Sequence, residues 1–268
     1  MIVSDIHRYV FIQQPHTACT AIQAELREHY GGRKVAAKHA TWADFTRIAT
    51  PAQRRYFVFS GVRNPLDEAV SMYFKFKTDW HQKYSRRAQD QTLSPVQQAA
   101  YELVVAEDAD FAHYLRRVYR RGWDNDTLIY HKRMDQVIRF EHLQEDFSRT
   151  LERLGLEQVR PLPMVNKTSE RGSYLDYYPE DLRPFAAEVF GPFMRKWGYA
   201  LPAEWVGVTS PRAAIVDFRV RGIWRYVYRR YLRRPTSPAT NLILSLTNAS
   251  RRSARRLAGR LGTGDQST

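Results

Sequence analysis

The sequence of 268 residues has a single cysteine, Cys19, and no long apolar run. One cysteine excludes a disulfide framework and any cysteine-rich zinc site, because both need several thiol groups. A membrane-spanning helix is not expected either, since no stretch approaches the roughly 18 apolar residues that it requires. Residues 1–8 include Asp5 and Arg8, which do not fit a secretory signal peptide, so we expect a cytoplasmic protein.

Lysine is scarce, arginine is abundant, and the basic residues are unevenly spread. The chain has 34 arginines, 8 lysines and a net charge of +14. Residues 207–268 contain 13 arginines, no lysine and two aspartates, a net charge of +11, so residues 1–206 carry only +3. A strongly basic segment of this kind favours a polyanionic partner. We therefore predict a folded domain over residues 1–205 and a basic, helical C-terminal extension over residues 206–268.

Hydrophobic residues make up 43% of the sequence and aromatic residues 13%, enough for a sizeable core. Short runs of aromatic and β-branched residues predict strands at residues 8–13, 34–38, 56–62 and 137–140. Apolar residues at helical spacing predict helices at residues 17–30, 42–48, 66–77, 109–121, 143–154 and 179–197. Residues 79–98 and 161–178 are predicted to be irregular. Strands that alternate with helices pair in parallel, so we expect a three-layer α/β fold with a central parallel sheet.

A turn between the first predicted strand and the first predicted helix has the composition of a phosphate-binding loop. Small side chains let the backbone approach a ligand, and backbone N–H groups at a helix N-terminus attract anions. The alternative is an ordinary helix N-cap made by a threonine. The loop differs from that of nucleotide triphosphatases, which is rich in glycine and ends in Lys-Ser or Lys-Thr. The residues predicted to hold an anion are His16, Thr17, Ala18, Cys19, Thr20 and Ala21.

A second candidate anion site follows the predicted strand at residues 56–62. Arg63 comes directly after this strand, at the edge where open α/β sheets bind ligands, and Ser71 follows eight residues later. A guanidinium and a hydroxyl at this spacing can hold one phosphate together. The alternative is that Arg63 caps the end of a strand and Ser71 lies on a helix surface.

Together these two segments resemble the sulfotransferase superfamily, whose members use 3′-phosphoadenosine 5′-phosphosulfate. In that family a Pro-Lys-Thr-x-x-Thr-Ser loop holds the 5′-phosphosulfate. An Arg-Asn/Asp-Pro motif, with a serine eight residues after the arginine, holds the 3′-phosphate. The matching residues are Pro15, Thr17, Thr20, Arg63, Asn64, Pro65 and Ser71. Residues 137–143 and 193–199 are similar to the family's late strand and closing segment, so the resemblance covers residues 8–200. Glu141 in the late strand's motif is expected to cap the following helix.

The resemblance implies a P-loop-like fold, 3′-phosphoadenosine 5′-phosphosulfate as co-substrate, no metal, and a hydroxylated acceptor for which we expect a carbohydrate or glycolipid. It also implies that Lys167 and Arg171, on a late basic loop, close over the 3′-phosphate of the donor. His39 is similar in position to a histidine that follows the second strand of uronosyl 2-O-type carbohydrate sulfotransferases and acts as the base. Glu25 is the second candidate base.

Two positions in the loop depart from the family pattern. His16 replaces a lysine that neutralises charge on the oxygen between sulfur and phosphorus, and Ala21 replaces a serine. A protonated His16 could act like lysine, but only below its pKa, so we expect activity to fall at alkaline pH. The same replacement leaves open a non-catalytic nucleotide-binding or scaffold protein. A small-molecule kinase is the nearest enzymatic alternative, although the Lys-Ser/Thr loop is missing.

Aromatic residues and arginines follow helical spacing in residues 220–234. Such a helix suits an anionic membrane surface, so we expect peripheral membrane contact through residues 212–260. Two alternatives stay open: a helix that packs on the folded domain with solvated arginines, and nucleic-acid binding, which we regard as the weaker.

Overall fold

The structure is a computed structural model, and it describes residues 1–79, 82–90, 92–125, 134–163 and 172–228. The chain divides into two compact units, Met1–Arg221 and Gly222–Thr268. The predicted domain boundary after residue 205 stays a prediction. The predicted donor-binding residues Lys167 and Arg171, and residues 229–260 of the predicted membrane contact, lie outside the described residues.

The sheet strands are β1 (Ile2–Ser4), β2 (Tyr9–Ile12), β3 (Arg33–Lys34), β4 (Phe57–Val62) and β5 (Gln136–Arg139). Within the described residues they form one sheet in the order β3-β1-β2-β4-β5. Strands β2, β4 and β5 are parallel neighbours, as alternating strands and helices predict. Strand β1 is antiparallel to both β2 and β3, so the sheet is mixed rather than wholly parallel. The predicted α/β class is confirmed.

Near the start of the chain, one strand is absent from the sequence prediction and another is predicted too long. The sequence pattern does not predict β1, and it extends the second strand to residue 38, whereas β3 ends at Lys34. The two residues of β3 pair with Ile2 and Val3 of β1. After a last backbone bond from Val35 N to Met1 O at 3.2 Å, the chain leaves the sheet.

The helices are α1 (Cys19–His29), α2 (Trp42–Ile48), α3 (Pro65–Lys77), α4 (Lys83–Gln89), α5 (Pro95–Val105), α6 (Phe111–Val118), α7 (Leu143–Arg153), α8 (Arg183–Trp197) and α9 (Arg212–Val227). The prediction of an irregular segment at residues 79–98 is wrong, because α4 and the first turn of α5 lie there. Both segments are polar, which is not typical of a buried helix. Helix α5 nevertheless begins with a capping box, in which the Ser94 side chain accepts a hydrogen bond from the Gln97 N–H. In the described part of the chain, no helix combines the length and the apolar character that crossing a membrane requires.

Side chains of β2 alternate between two hydrophobic clusters, as expected for a strand buried on both faces. Tyr9 and Phe11 pack with buried residues of α1 and α7, whereas Val10 and Ile12 pack with Phe45 of α2. A third cluster joins α3, α5, α6 and α8. Because β2 and β4 run parallel side by side, the segments that follow them emerge at one edge of the sheet.

Candidate functional site

The segment after β2 forms the predicted loop and ends at the N-terminus of α1. His16 and Ala18 have φ values of +63° and +55°, in the left-handed region that residues other than glycine seldom adopt. Thr17 does not cap α1, because its hydroxyl donates to the Gln14 carbonyl at 3.1 Å. The N-cap residue is Ala18, which makes no side-chain cap bond. The alternative of a threonine cap is therefore wrong, and the first N–H groups of α1 find no acceptor on their cap side chain.

The loop packs directly on β4 at Gly61. A Cβ atom at this position would lie 2.5 Å from Thr17 Oγ1 and 2.7 Å from Thr17 Cβ. Both separations are far below van der Waals contact, so a glycine is needed for Thr17 to lie here. Ser60 supports the end of β2, because its hydroxyl donates to the Ile12 carbonyl at 2.7 Å. Sequence reasoning missed Gly61, although a glycine within a run of large apolar residues signals close backbone approach.

Arg63 lies at the end of β4, beside the loop. Its Nη1 atom is 3.4 Å from the carbonyl oxygen of His16. Its Nε and Nη2 atoms lie 2.8 and 2.6 Å from Asp67 Oδ2, and the guanidinium lies 4.1 Å from the centre of the Phe140 ring. The side chain is buried. The structure thus brings the two predicted anion-binding segments into contact at one edge of the sheet.

Ser71 lies in the second turn of α3 and is only 1% exposed. The alternative that it belongs to a helix surface is therefore wrong. It shares one face of α3 with Glu68, three residues before it, and with Lys75, four residues after it. Asp67, one turn before Ser71, already pairs with Arg63. A phosphate bound between Arg63 and Ser71 would therefore share the guanidinium with Asp67 or displace it.

Lysine side chains from separate elements place positive charge near the loop. Lys38 Nζ donates to Thr20 Oγ1 at 3.0 Å, at the start of α1. Burial lowers the pKa of Lys83 on α4, and the nearby charges of Arg87 and Lys38 lower it further. Positive charge gathered at a helix N-terminus creates a field that attracts polyanions.

These positive charges act on the imidazole of His16. Burial lowers its pKa to about 3, and neighbouring charges add to the effect. Those neighbours are Lys75, Arg63, Lys83 and His39. The imidazole is therefore neutral at neutral pH in the ligand-free protein, so it does not carry the charge expected of a lysine substitute. Loss of activity at alkaline pH stays a prediction, and it requires a bound anion that raises this pKa to near neutrality.

His39 is held by the end of β2 rather than by a strand of its own. Strand β3 ends five residues before it, and His39 has a φ of +63°. Its Nδ1 atom is 2.7 Å from the carbonyl oxygen of Gln13. A carbonyl only accepts, so Nδ1 carries the hydrogen and Nε2 of the neutral ring can take a proton. Burial lowers the pKa of His39, opposed by the bond to Gln13 and reinforced by Lys38, so the ring is neutral near pH 7.

Glu25, the second candidate base, is engaged elsewhere. It is fully buried on α1, and its Oε2 atom lies 3.1 Å from Arg160 Nε. Ligand atoms of Glu25, Glu28 and His29 lie within 4.8 Å of one another, close enough to share a cation. Arg160 also lies 2.8 Å from Glu28, so one arginine already pairs with both carboxylates of this cluster. Of the two candidate bases, His39 is the one that contacts the segment leading from β2 into the loop.

Hydrogen bonds from distant parts of the chain hold the turn after β4. The Asn64 N–H donates to Glu141 Oε1 at 2.6 Å, and the Tyr199 hydroxyl lies 2.8 Å from Glu141 Oε2. Asn64 caps α3, because its side chain accepts from the Leu66 N–H. The expectation that Glu141 caps the next helix is wrong: the N-cap of α7 is His142, without a side-chain bond. Glu141 instead positions the residue that follows Arg63.

Comparison with known proteins assigns no family. No protein-family model, curated protein or solved structure matches the chain. Function is therefore inferred from the loop, from Arg63 and from the resemblance of the sequence to the sulfotransferase superfamily.

Proposed function

We propose that the protein is a sulfotransferase that transfers the sulfuryl group of 3′-phosphoadenosine 5′-phosphosulfate to a hydroxyl group of a carbohydrate or glycolipid. The observation that carries the proposal is the contact between Arg63 Nη1 and the His16 carbonyl at 3.4 Å. It supports one binding site in which both anion-binding segments face the same nucleotide. The proposal includes a three-layer, P-loop-like fold and a cytoplasmic location.

In this proposal different elements hold the two ends of the donor. The N–H groups of residues 17–21 and the Thr20 hydroxyl hold the 5′-phosphosulfate, because helix N-termini bind anions. Arg63 and Ser71 hold the 3′-phosphate. The lysines around the loop neutralise the remaining charge of the donor. The resemblance adds two residues on the 3′-phosphate side, Lys167 and Arg171.

The transfer itself is an in-line displacement at sulfur. The acceptor oxygen forms a bond to sulfur, the bond from sulfur to the 5′-phosphate oxygen breaks with its electron pair, and adenosine 3′,5′-bisphosphate leaves. His39 Nε2 takes the proton of the acceptor hydroxyl, for which a neutral imidazole is required. Helix α1 and His16 stabilise the negative charge that grows on the leaving oxygen, and His16 does so as a hydrogen-bond donor that is stronger when the bound anion keeps it protonated.

A non-catalytic nucleotide-binding protein is the second candidate, and the neutral imidazole of His16 favours it. In the family that the sequence resembles, a lysine supplies a permanent charge at this position. If a hydrogen bond from His16 is too weak a substitute, the protein binds the nucleotide without transferring the sulfuryl group. A small-molecule kinase has less support, because the loop lacks the Lys-Ser/Thr ending.

Transfer is tested with donor that carries sulfur-35. The full-length protein is incubated with labelled donor and with pools of polysaccharides and glycolipids, and the label is followed into each pool. We expect transfer by the wild type and a loss of about 10²–10⁴-fold in His39→Ala. His113→Ala is the matched control, because His113 is exposed on α6. No transfer to any pool, together with binding of adenosine 3′,5′-bisphosphate, would select the non-catalytic candidate.

We further propose that the basic extension binds an anionic membrane surface. The support is its charge, since residues 207–268 contain 13 arginines and two aspartates. The test is cosedimentation of the full-length protein with vesicles of phosphatidylserine or phosphatidylcholine, with duplex DNA as a competitor. We expect binding to phosphatidylserine alone, weakened by salt. Binding to DNA but to neither vesicle would contradict the proposal.

A further inference from the structure

Asn125 links the phosphate-binding loop to α3. Its Nδ2 atom lies 3.1 Å from the carbonyl oxygen of Pro15, and 3.1 and 3.0 Å from Oε1 and Oε2 of Glu68. A side-chain amide has two N–H groups, so one can donate to the loop while the other donates to the carboxylate. Pro15 directly precedes His16, whose backbone is in the left-handed region. The shape of this loop segment therefore depends on a side chain from a distant part of the chain.

Burying the Glu68 carboxylate costs free energy of desolvation, which suggests that this side chain has a specific role. It is 5% exposed on α3, and burial raises its pKa to about 7. An apolar side chain would avoid the cost of burying a charge. Several charged and titratable groups of the described residues face Glu68. Asp67 and Lys75 lie on its own helix, and Arg63 lies at the end of β4. Tyr114 of α6 and Tyr119, at the C-terminus of that helix, also face it.

We propose that Glu68 and Asn125 form a positioning couple that fixes the backbone of the phosphate-binding loop. An ionised carboxylate only accepts hydrogen bonds, so ionised Glu68 selects the rotamer in which the Asn125 nitrogen, not its oxygen, faces inward. The same nitrogen then holds the Pro15 carbonyl, and the N–H groups that follow point toward the ligand. The identity of that ligand rests on the proposed function, whereas the role of the couple in shaping the loop does not.

The couple also links nucleotide binding to pH. Ionised Glu68 adds a negative charge near Arg63 and the loop, which opposes a bound polyanion, whereas protonated Glu68 does not. Between pH 6 and pH 8, the affinity of the wild type for adenosine 3′,5′-bisphosphate should therefore fall about fivefold relative to that of Glu68→Gln. His16, His39 and the phosphates also titrate, but the wild type and the variant share them, so the difference between the two proteins reports Glu68.

The main test is Asn125→Asp, which keeps the shape of the side chain and removes both N–H groups. In the ligand-free protein we expect amide hydrogen exchange across residues 16–22 to accelerate at least about tenfold, because the loop loses its donor. We expect calorimetry to show at least about tenfold weaker binding of adenosine 3′,5′-bisphosphate. Glu102→Gln, at an exposed position on α5, is the matched control and should change neither. If the loop amides of Asn125→Asp exchanged as slowly as those of the wild type, the proposal would be overturned.

A double variant separates positioning of the loop from simple stability. In E68Q/N125D the new amide at position 68 can donate to the new carboxylate at position 125, so thermal stability should recover relative to N125D. The Pro15 carbonyl still lacks a donor, so exchange in the loop should stay fast and binding weak. Joint recovery of stability, exchange and binding would overturn the proposal. If N125D does not fold, Asn125→Ser replaces it, because serine is too short to reach both partners, and the same exchange result is required.

Failure of the proposed function would look different. The wild type would then bind no adenosine 3′,5′-bisphosphate at any pH, while loop exchange would still respond to Asn125→Asp.

Discussion

The substitution Gly61→Ala tests the close packing of the loop on β4 with one added methyl group. The new Cβ would meet Thr17 Oγ1 at 2.5 Å and Thr17 Cβ at 2.7 Å, whereas ordinary contacts begin at 3.4 Å. Strand β4 lies between β2 and β5 and cannot easily yield, because it is paired on both sides. The loop must therefore move away from the sheet by about 1 Å.

Two consequences follow from this displacement. Overpacking of this kind destabilises a fold by about 1–3 kcal/mol. The loop N–H groups also shift relative to Arg63, and a misplacement of about 1 Å can cost about 100-fold in rate. We expect adenosine 3′,5′-bisphosphate to bind at least about tenfold more weakly, and any sulfuryl transfer to slow about 100-fold.

Calorimetric titration measures the affinity, and thermal denaturation measures the stability. Gly155→Ala is the matched control: Gly155 has a φ of +69° and open space around its Cβ, so alanine there costs about 1 kcal/mol in backbone strain without touching the loop. A Gly61→Ala variant that loses stability but keeps wild-type affinity would refute the reasoning, because the methyl group would not have moved the binding groups.

Three further predictions concern charged and titratable side chains. His39→Ala should leave the affinity for adenosine 3′,5′-bisphosphate nearly unchanged. In the wild type, turnover should fall as the pH drops below the His39 pKa, which burial places below 6.5. Steady-state kinetics would contradict this if the residual activity of His39→Ala showed the same fall at acidic pH. Arg63→Lys should weaken binding of adenosine 3′,5′-bisphosphate at least about tenfold in calorimetry, because lysine lacks the planar fork of the guanidinium. The control Arg27→Ala, on the exposed face of α1, should bind like the wild type. Equal affinities of Arg63→Lys and the wild type would count against this role of Arg63. Burial raises the Glu68 pKa from 4.5 to about 7, so between these pH values the folded state holds a proton that the unfolded chain has lost. The free energy of unfolding of the wild type should therefore fall by up to about 3 kcal/mol as the pH rises through this range. Glu68→Gln should lack that fall in urea denaturation, and parallel pH curves would disprove it.

Local patterns were sufficient for the part of the site that lies at the ends of strong elements. Strands β2 and β4 are rich in aromatic and β-branched residues, and parallel strands end at one edge of a sheet. The contact of Arg63 with the loop follows from those two facts. Ser71 then falls on the buried face of α3 through helical spacing alone.

The remaining parts depend on contacts between positions that no local pattern connects. Asn125 bonds the carbonyl of Pro15 across 110 residues, and Asn64 bonds Glu141 across 77. These partners are ordinary polar residues, and only the packed fold gives them a role. The short strand β1 was missed for a related reason, since it is three residues long and is stabilised by pairing with β2 and β3 rather than by its own propensity.

The most direct measurement is calorimetric titration of the full-length protein with adenosine 3′,5′-bisphosphate and, separately, with ATP. If the loop and Arg63 hold the two phosphates of one nucleotide, the bisphosphate binds with one-to-one stoichiometry and more tightly than ATP. Tighter binding of ATP, or binding of neither nucleotide, would contradict the account.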